Sequence, residues 1–522
     1  MSKGSNAKPE EPSRPHWTVM IYMVADDPAH GELLDQQANR ELDEITFAAL
    51  SVAKDKQTVS VAVQIDFRSQ PDVWRRVIGK GAWAQPESAA ADPATLYGFF
   101  DFVHRWCPAD RYLLILWGHS RGPFGLFTDN PSFSSPMSGP FAQDNDRTYL
   151  AQTLTLKELR VALRNAYECL GQKINIVGFK DCFMSTLETA FELETAAKYI
   201  VASPGIVPIE GWPYLNIFRR LARTDDAEEA ARGMLDALQD HYNEEENRHN
   251  LPSVPFTLMD TSKLTNVSAS LRSVAEDLAP ANGNGGAKDR KAVAKFRKAL
   301  PDPKSAHAAP GTDVALLDVS KLCHRLKQKG SQAAEGLDTA INELVLKSYQ
   351  LPEKPTSSKK RVVSADQPPE KPASSKKGAK ATSNDSPRGV SVFCYPSGRN
   401  RERSLVARLS SRSVYTELAI TKKMTGWERV ATREMPPTDP VTVPSYHGAT
   451  YATDGSSDAT NALLPLMMQQ LQRGILEEIA RSGLQGFVKE SGFVKESGFV
   501  KESGFVTELK LAQRLAPPAQ KR

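Results

Sequence analysis

Along the first part of the chain, short apolar runs alternate with longer stretches in which apolar positions recur every three or four residues. The runs Trp17–Ala25, Thr58–Asp66, Arg111–Trp117, Lys173–Phe179 and Tyr199–Ser203 have the length and β-branched content of buried strands. Residues 31–50, 95–107 and 184–196 read as helices between them. Thr155 and Glu158 have the spacing of a capping box, opening a helix with Leu159, Leu163 and Ala166 on one face. Later, 312–322 reads as a strand running into a helix and 389–396 as one more strand. This alternation predicts an α/β fold: a mostly parallel central sheet with helices on both faces. In such sheets, sites form just beyond the carboxyl ends of the strands.

Elsewhere the pattern breaks down. Residues 1–16 are polar and read as a disordered tail. Residues 282–291 are a flexible, Gly-rich break. Residues 352–388 read as a disordered Lys/Pro/Ser-rich insertion carrying an imperfect repeat, PEKPTSSKK and PEKPASSKK. No aromatics interleave its charges as base-stacking platforms, so a solvated linker is expected rather than a nucleic-acid partner. Residues 436–522 form a C-terminal extension, with a helix expected over 457–482. There GFVKES recurs from Gly486 onward, which fits either duplication of a tolerant tail or a partner-binding segment using Phe487, Phe493, Phe499 and Phe505.

Composition changes this picture little. The 522 residues carry 66 basic and 62 acidic side chains, an excess that singles out no class of partner. Five cysteines without C-x-x-C pairing suggest neither a disulfide framework nor a zinc site, and fit a reducing compartment. With no apolar leader and no membrane-length apolar run, the expectation is a cytoplasmic protein without a membrane partner. No D-x-D-x-D-G loop marks a calcium site, and no cofactor is required by any motif.

The chemistry centres on LLILWGHSRG, residues 113–122. Gly118-His119-Ser120-Arg121-Gly122 fits the G-x-S-x-G elbow of serine hydrolases. That device needs a helix starting at the serine, and the Gly- and Pro-rich sequence after Ser120 forbids one. Alternatively, His119 is a base at a strand end. Cys182, beyond the 173–179 strand and before a helix, is then the matching nucleophile. A helix N-terminus and an adjacent imidazolium both lower a thiol's pKa. The backbone N–H groups of Ser120 and Cys182, at the two turns, are candidates for holding an oxyanion. Cys107, Cys169, Cys323 and Cys394 have no such setting and read as packing residues.

Seven stretches then match in order a known pattern: WTVMIYMVADD (17–27), ELDEI (41–45), VAVQID (61–66), RYLLILWGHSRG (111–122), LTLKELRVAL (154–163), VGFKDCFMSTLETAFEL (177–193) and VASPGIVPIEGWPY (201–214). Together they resemble the clostripain family of cysteine peptidases, over about residues 17–435. The resemblance implies a caspase-like three-layer sandwich and hydrolysis of peptide or protein substrates after Arg or Lys. It makes His119 and Cys182 the catalytic pair. It also raises a dependence on Ca²⁺ and maturation by cleavage between the two motifs. The segment 122–153 is then an activation loop, with Arg147 as the cut site for this enzyme or an upstream protease. The family has an aspartate two residues before its cysteine, and Lys180 stands there, followed by Asp181. Glu210 matches a second acidic position. Lys180, Asp181 and Glu210 are therefore the candidates for shaping the P1 pocket. Lys180 also raises the alternative of an inactive scaffold protein.

Overall fold

The computed structural model describes residues 15–26, 31–53, 59–86, 88–129, 152–208, 211–249, 255–278, 313, 315–349, 388–396, 404–408, 410–424, 426–433 and 435. The expected tail before residue 15, most of the 352–388 insertion, the 457–482 helix and the GFVKES repeats lie outside them.

The chain opens with β1 (Trp17–Val24), α1 (Gly31–Ala53) and β2 (Val59–Asp66), followed by a hairpin of β3 (Asp72–Val77) and β4 (Gly81–Pro86). Next come α2 (Pro93–Trp106), β5 (Arg111–Trp117), β6 (Leu126–Asp129), β7 (Gln152–Leu154), α3 (Leu156–Leu170) and β8 (Ile174–Lys180). Then follow α4 (Leu187–Leu193), β9 (Ala197–Ala202), α5 (Tyr214–Leu221), α6 (Ala227–His249), β10 (Phe256–Asp260) and α7 (Leu264–Leu278). The remainder comprises β11 (Leu316–Asp318), α8 (Val319–Gln328), α9 (Ala333–Leu344), β12 (Val345–Tyr349) and β13 (Ser391–Phe393). Four short helices close it: α10 (Leu405–Arg408), α11 (Arg412–Thr416), α12 (Ala419–Lys423) and α13 (Trp427–Ala431).

Nine strands form one sheet in the order β12-β10-β9-β8-β5-β1-β2-β3-β4. The centre, from β9 to β2, is parallel, and antiparallel strands are added at both edges. Every residue of β1 is buried, as a strand covered on both faces requires. Its side chains alternate between two cores. Val19, Ile21 and Met23 pack with α1, α5 and α6, whereas Met20, Tyr22 and Val24 pack with α2, α3, α4 and α7. This is the three-layer α/β sandwich expected from the alternation of strands and helices.

Local signals account for the element ends nearest the site. Thr155 accepts from the Glu158 N–H while Glu158 reaches back to the Thr155 N–H, and Gly171 ends α3 in the left-handed conformation. Pro93 opens α2 behind Asp92, whose side chain accepts from the Ala94 N–H. One expected helix is shorter than its pattern: α4 covers seven residues of the 184–196 stretch. The segment 122–153 is also not simply a loop. A single 3-10 turn at Gly122–Phe124 and strand β6 place Phe124, Leu126 and Phe127 in the core, and β6 pairs with β7. Residues 130–151, including Arg147, lie outside the described residues.

Candidate active site

Strands β5 and β8 are parallel neighbours, with Trp117 paired to Lys180. His119 and Cys182 each stand two residues beyond that last pair. The register therefore brings the two strand ends, and the turns that carry His119 and Cys182, next to each other, on strands about 4.8 Å apart. Chain order reverses one strand away, between β1 and β5: β2 lies on one side of β1, while β5, β8 and β9 follow on the other. A crevice at the carboxyl edge of such a switch point is the ordinary place for a site in an open α/β sheet.

After β5 the chain folds back on itself. Ser120 and Leu126 face each other in an antiparallel bridge. The flanking residues exchange its hydrogen bonds, Phe127 N–H to His119 O at 2.7 Å and Arg121 N–H to Gly125 O at 2.8 Å. That arrangement leaves the Ser120 N–H out of the ladder. Gly118 has no room for a side chain, since a Cβ there would lie 2.8 Å from Phe127 Cδ1. The Ser120 hydroxyl donates to the carbonyl oxygen of Cys182, tying the two turns together. Ser120 is thus 8% exposed, committed to a backbone acceptor and followed by no α-helix, so the elbow reading fails on geometry.

Cys182 is half-buried, and its Sγ lies 3.4 Å from the Val207 N–H and 3.8 Å from the Val207 carbonyl oxygen. The helix expected at its shoulder starts later: α4 is capped by Thr186, so the thiol gains no helix N-terminus. Burial pushes the Cys182 thiol up to about 11, only partly offset by the Val207 N–H. Neighbouring Asp181 raises it further and Lys180 lowers it. The expected depressed thiol is therefore absent from this resting arrangement. Phe183, next in the chain, has φ of 60° and donates its N–H to Gly205 O at 2.8 Å. A bulky residue there stores on the order of 1–3 kcal/mol of backbone strain beside the thiol.

The expected P1 candidates are redistributed. Lys180 does not face a substrate as an open charge. Its side chain is 2% exposed and its Nζ lies 2.6 Å from Glu41 Oε1, on α1. Glu41, fully buried, also accepts from Trp117 Nε1 at 3.0 Å and from the Tyr214 hydroxyl. The Lys180 ammonium sits 5.1 Å from the Trp117 ring centroid. Asp181 is 1% exposed, and neither carboxyl oxygen has a hydrogen-bond partner among the described residues. Burial raises its carboxyl well above the usual range, and at 1% exposure it is closed off from a substrate. Glu210 lies outside the described residues, as does Arg147. Glu41 went unread as a site residue because a helical glutamate in ELDEI carries no local sign of a partner 139 positions away.

Of the other cysteines, Cys107, Cys323 and Cys394 are buried, as expected of packing residues, whereas Cys169 is only half-buried. Among the described residues, no group of three or more His, Cys, Asp or Glu side chains is placed to hold a metal ion. Among the same residues no helix is long and apolar enough to cross a membrane.

Residues 21–356 match the model of the clostripain family, Peptidase_C11. No curated sequence matches the chain. A solved structure of similar fold is a secreted C11 cysteine protease from Bacteroides thetaiotaomicron in complex with an irreversible peptide inhibitor. It is 16% identical, with a TM-score of 0.52 over 79% of this chain and 99% of that one. An inactive zymogen C11 protease from Parabacteroides distasonis matches at 18% identity and a TM-score of 0.48, over 79% and 99% of the two chains. A further secreted C11 protease from Bacteroides thetaiotaomicron, iotapain, matches at 14% identity and 0.48, over 79% and 100%. The first of these structures is of a secreted enzyme, which goes against the expectation of a cytoplasmic protein. The physical reason is that a core of this size needs no disulfides, so few cysteines do not mark a compartment. With well over half of its length matched by the family model, the chain belongs to the clostripain family of cysteine endopeptidases.

Proposed function

We propose that His119 and Cys182 are the catalytic dyad of an endopeptidase that cleaves after Arg or Lys. The observation that carries this reading is the β5–β8 register, which sets the two turns side by side at the carboxyl edge of the sheet, with the Ser120 hydroxyl bonded to the Cys182 carbonyl. In the first step Cys182 Sγ attacks the scissile carbonyl carbon while His119 takes the thiol proton. The oxyanion that forms is held by the backbone N–H groups of Ser120 and Cys182, donors of fixed position in a site partly closed to water. His119 then returns the proton to the leaving amine, and the acyl-enzyme is hydrolysed by a water that His119 deprotonates. The resting thiol near 11 means that thiolate is made during attack or after the site opens.

The basic-P1 reading is supported by the burial of Lys180 against Glu41, which removes the charge that would repel a basic side chain. We further propose that the protein is a zymogen cut after Arg147, by itself or by an upstream protease. The half-buried, Val207-bonded thiol supports a latent state. Calcium dependence rests on the family resemblance alone and is tested by adding and chelating the ion.

A peptide library varied at P1 is incubated with wild type and with Cys182→Ala, and products are read by mass spectrometry. Cleavage after Arg and Lys that disappears in Cys182→Ala is the expected result. Cleavage that persists in the variant rejects the dyad. Intact-mass analysis of the active enzyme checks the cut: a fully active uncut chain rejects activation at Arg147.

A further inference from the structure

Lys180 replaces an acid at the position two before the nucleophile, yet its charge is already matched. Glu41 holds it at 2.6 Å in a pair whose side chains are 2% and 0% exposed. One turn along α1, on the same helix face, stands Glu44, which is exposed. Its carboxylate lies against the loop after β9: a Cβ added to Gly211 would come 2.6 Å from Glu44 Oε2 and 3.4 Å from Glu41 Cγ.

The described parts of that loop touch Cys182 at one end and this acid at the other. Phe183 N–H bonds Gly205 O, Val207 N–H bonds Cys182 Sγ, Gly211 packs on Glu44, and the Tyr214 hydroxyl bonds Glu41. The Lys180 ammonium acts electrostatically on both ends, lowering the pKa of Cys182 and of Glu44 alike. Glu44 is itself raised, by burial first and by Glu41 second. Among the described groups here, Glu41 and Lys180 pair with each other and Asp181 is out of water, whereas Glu44 is an exposed acid.

We propose that Glu44, on α1, is the acidic group that selects a basic P1 side chain in this enzyme, in place of the acid missing at position 180. Glu41 is what makes a lysine tolerable there. This inference rests on the basic-P1 reading above. A carboxylate and a guanidinium pair through two parallel hydrogen bonds, which a neutral amide cannot reproduce as a charge-assisted pair.

The test uses active enzyme, titrated with a Cys182-directed affinity probe, on peptides differing only in P1: Arg, Lys, Gln, Met or Glu. Wild type should prefer Arg and Lys. Glu44→Gln should lower kcat/KM for those two by about 10–100-fold, chiefly through KM, and leave Gln and Met within about threefold. Gly211→Ala, which displaces the flexible end of Glu44 without removing it, should lower the same two values by a smaller factor. Unchanged thermal midpoints establish that both variants fold. If wild type prefers basic P1 and Glu44→Gln keeps that preference within threefold, the inference falls and Glu210 takes the role. If wild type itself shows no basic preference, the reading beneath the inference falls instead.

Discussion

Removing one partner of the Glu41–Lys180 pair should be among the most damaging single changes to this fold. Both side chains are essentially out of water, at 0% and 2% exposed, and Glu41 joins three other elements through Trp117 on β5, Lys180 on β8 and Tyr214 on α5. Glu41→Gln keeps one acceptor oxygen where Trp117 and Tyr214 use two, and takes the Glu41 negative charge away from the buried Lys180 ammonium. Breaking a buried pair from one side costs about 3–5 kcal/mol. The ring of Trp117, 5.1 Å from the ammonium, can offset only about 1–2 kcal/mol of it. A net loss of about 1–4 kcal/mol is therefore expected, against a typical total of about 5–15 kcal/mol. Urea unfolding, measured on a Cys182→Ala background to prevent self-digestion, reads the loss directly. Adding Lys180→Met to Glu41→Gln should restore most of it, giving a coupling energy of about 2 kcal/mol in the double-mutant cycle. A loss below about 1 kcal/mol with no coupling is the behaviour of a hydrated surface pair. Lys180 would then be free to face a substrate, and the charge reasoning for P1 would collapse.

Three further outcomes are expected. Because burial raises the Cys182 thiol to about 11, its alkylation by iodoacetamide in uncut protein should rise about tenfold per pH unit between about pH 7 and 9, read on the Cys182 peptide. A plateau near pH 6 would mean a preformed thiolate–imidazolium pair and sink the latent-thiol reading. Ser120→Ala removes one neutral hydrogen bond, worth about 0.5–1.5 kcal/mol, so kcat/KM should fall by about 2–12-fold. Complete loss of activity with Cys182 still reactive would return the hydroxyl to candidacy as nucleophile. Glu188, buried on α4, accepts from Phe393 N–H and the Tyr415 hydroxyl, and burial raises its carboxyl from 4.5 to about 7. A raised acid favours the fold below its unfolded pKa and loses that contribution as pH climbs through the folded value. Wild type should therefore lose about 3 kcal/mol relative to Glu188→Gln between about pH 4.5 and 7. A difference in unfolding free energy that stays flat over that range contradicts the assignment.

The parallel core was legible because β1, β2, β5 and β8 are buried on both faces and must be written as continuous apolar runs. The Thr155–Glu158 box was legible because its hydrogen bonds are local. The β3–β4 hairpin was not: at the sheet edge its strands mix Arg75, Arg76 and Gln85 with Trp74 and Trp83, and neither pattern nor length marks them. Strands β10 and β12 are short antiparallel additions whose place depends on β9 rather than on their own composition. His119 and Cys182 were candidates from their strand-end positions, and the β5–β8 register brings those strand ends together. The fate of Lys180 was not legible, because a lysine reads as solvated until a distant carboxylate, here Glu41, is seen to bury with it. The thiol was misjudged for a similar reason: its neighbour is a loop residue, Val207, and not a helix end.

The antiparallel pairing of β6 with β7 straddles residues 130–151. A protease acting anywhere in that interval would divide the polypeptide between the two reactive groups, leaving the histidine on one fragment and the cysteine on the other. Neither fragment could leave easily. The first would hold β1, β2 and β5, the second β8 and β9, and the seam would run through the middle of one continuous sheet along the β5–β8 ladder. Such a molecule would migrate as two bands in detergent and as one species under native conditions. Its halves, separated in denaturant, should regain activity only on being mixed, since each contributes one wall of a shared core.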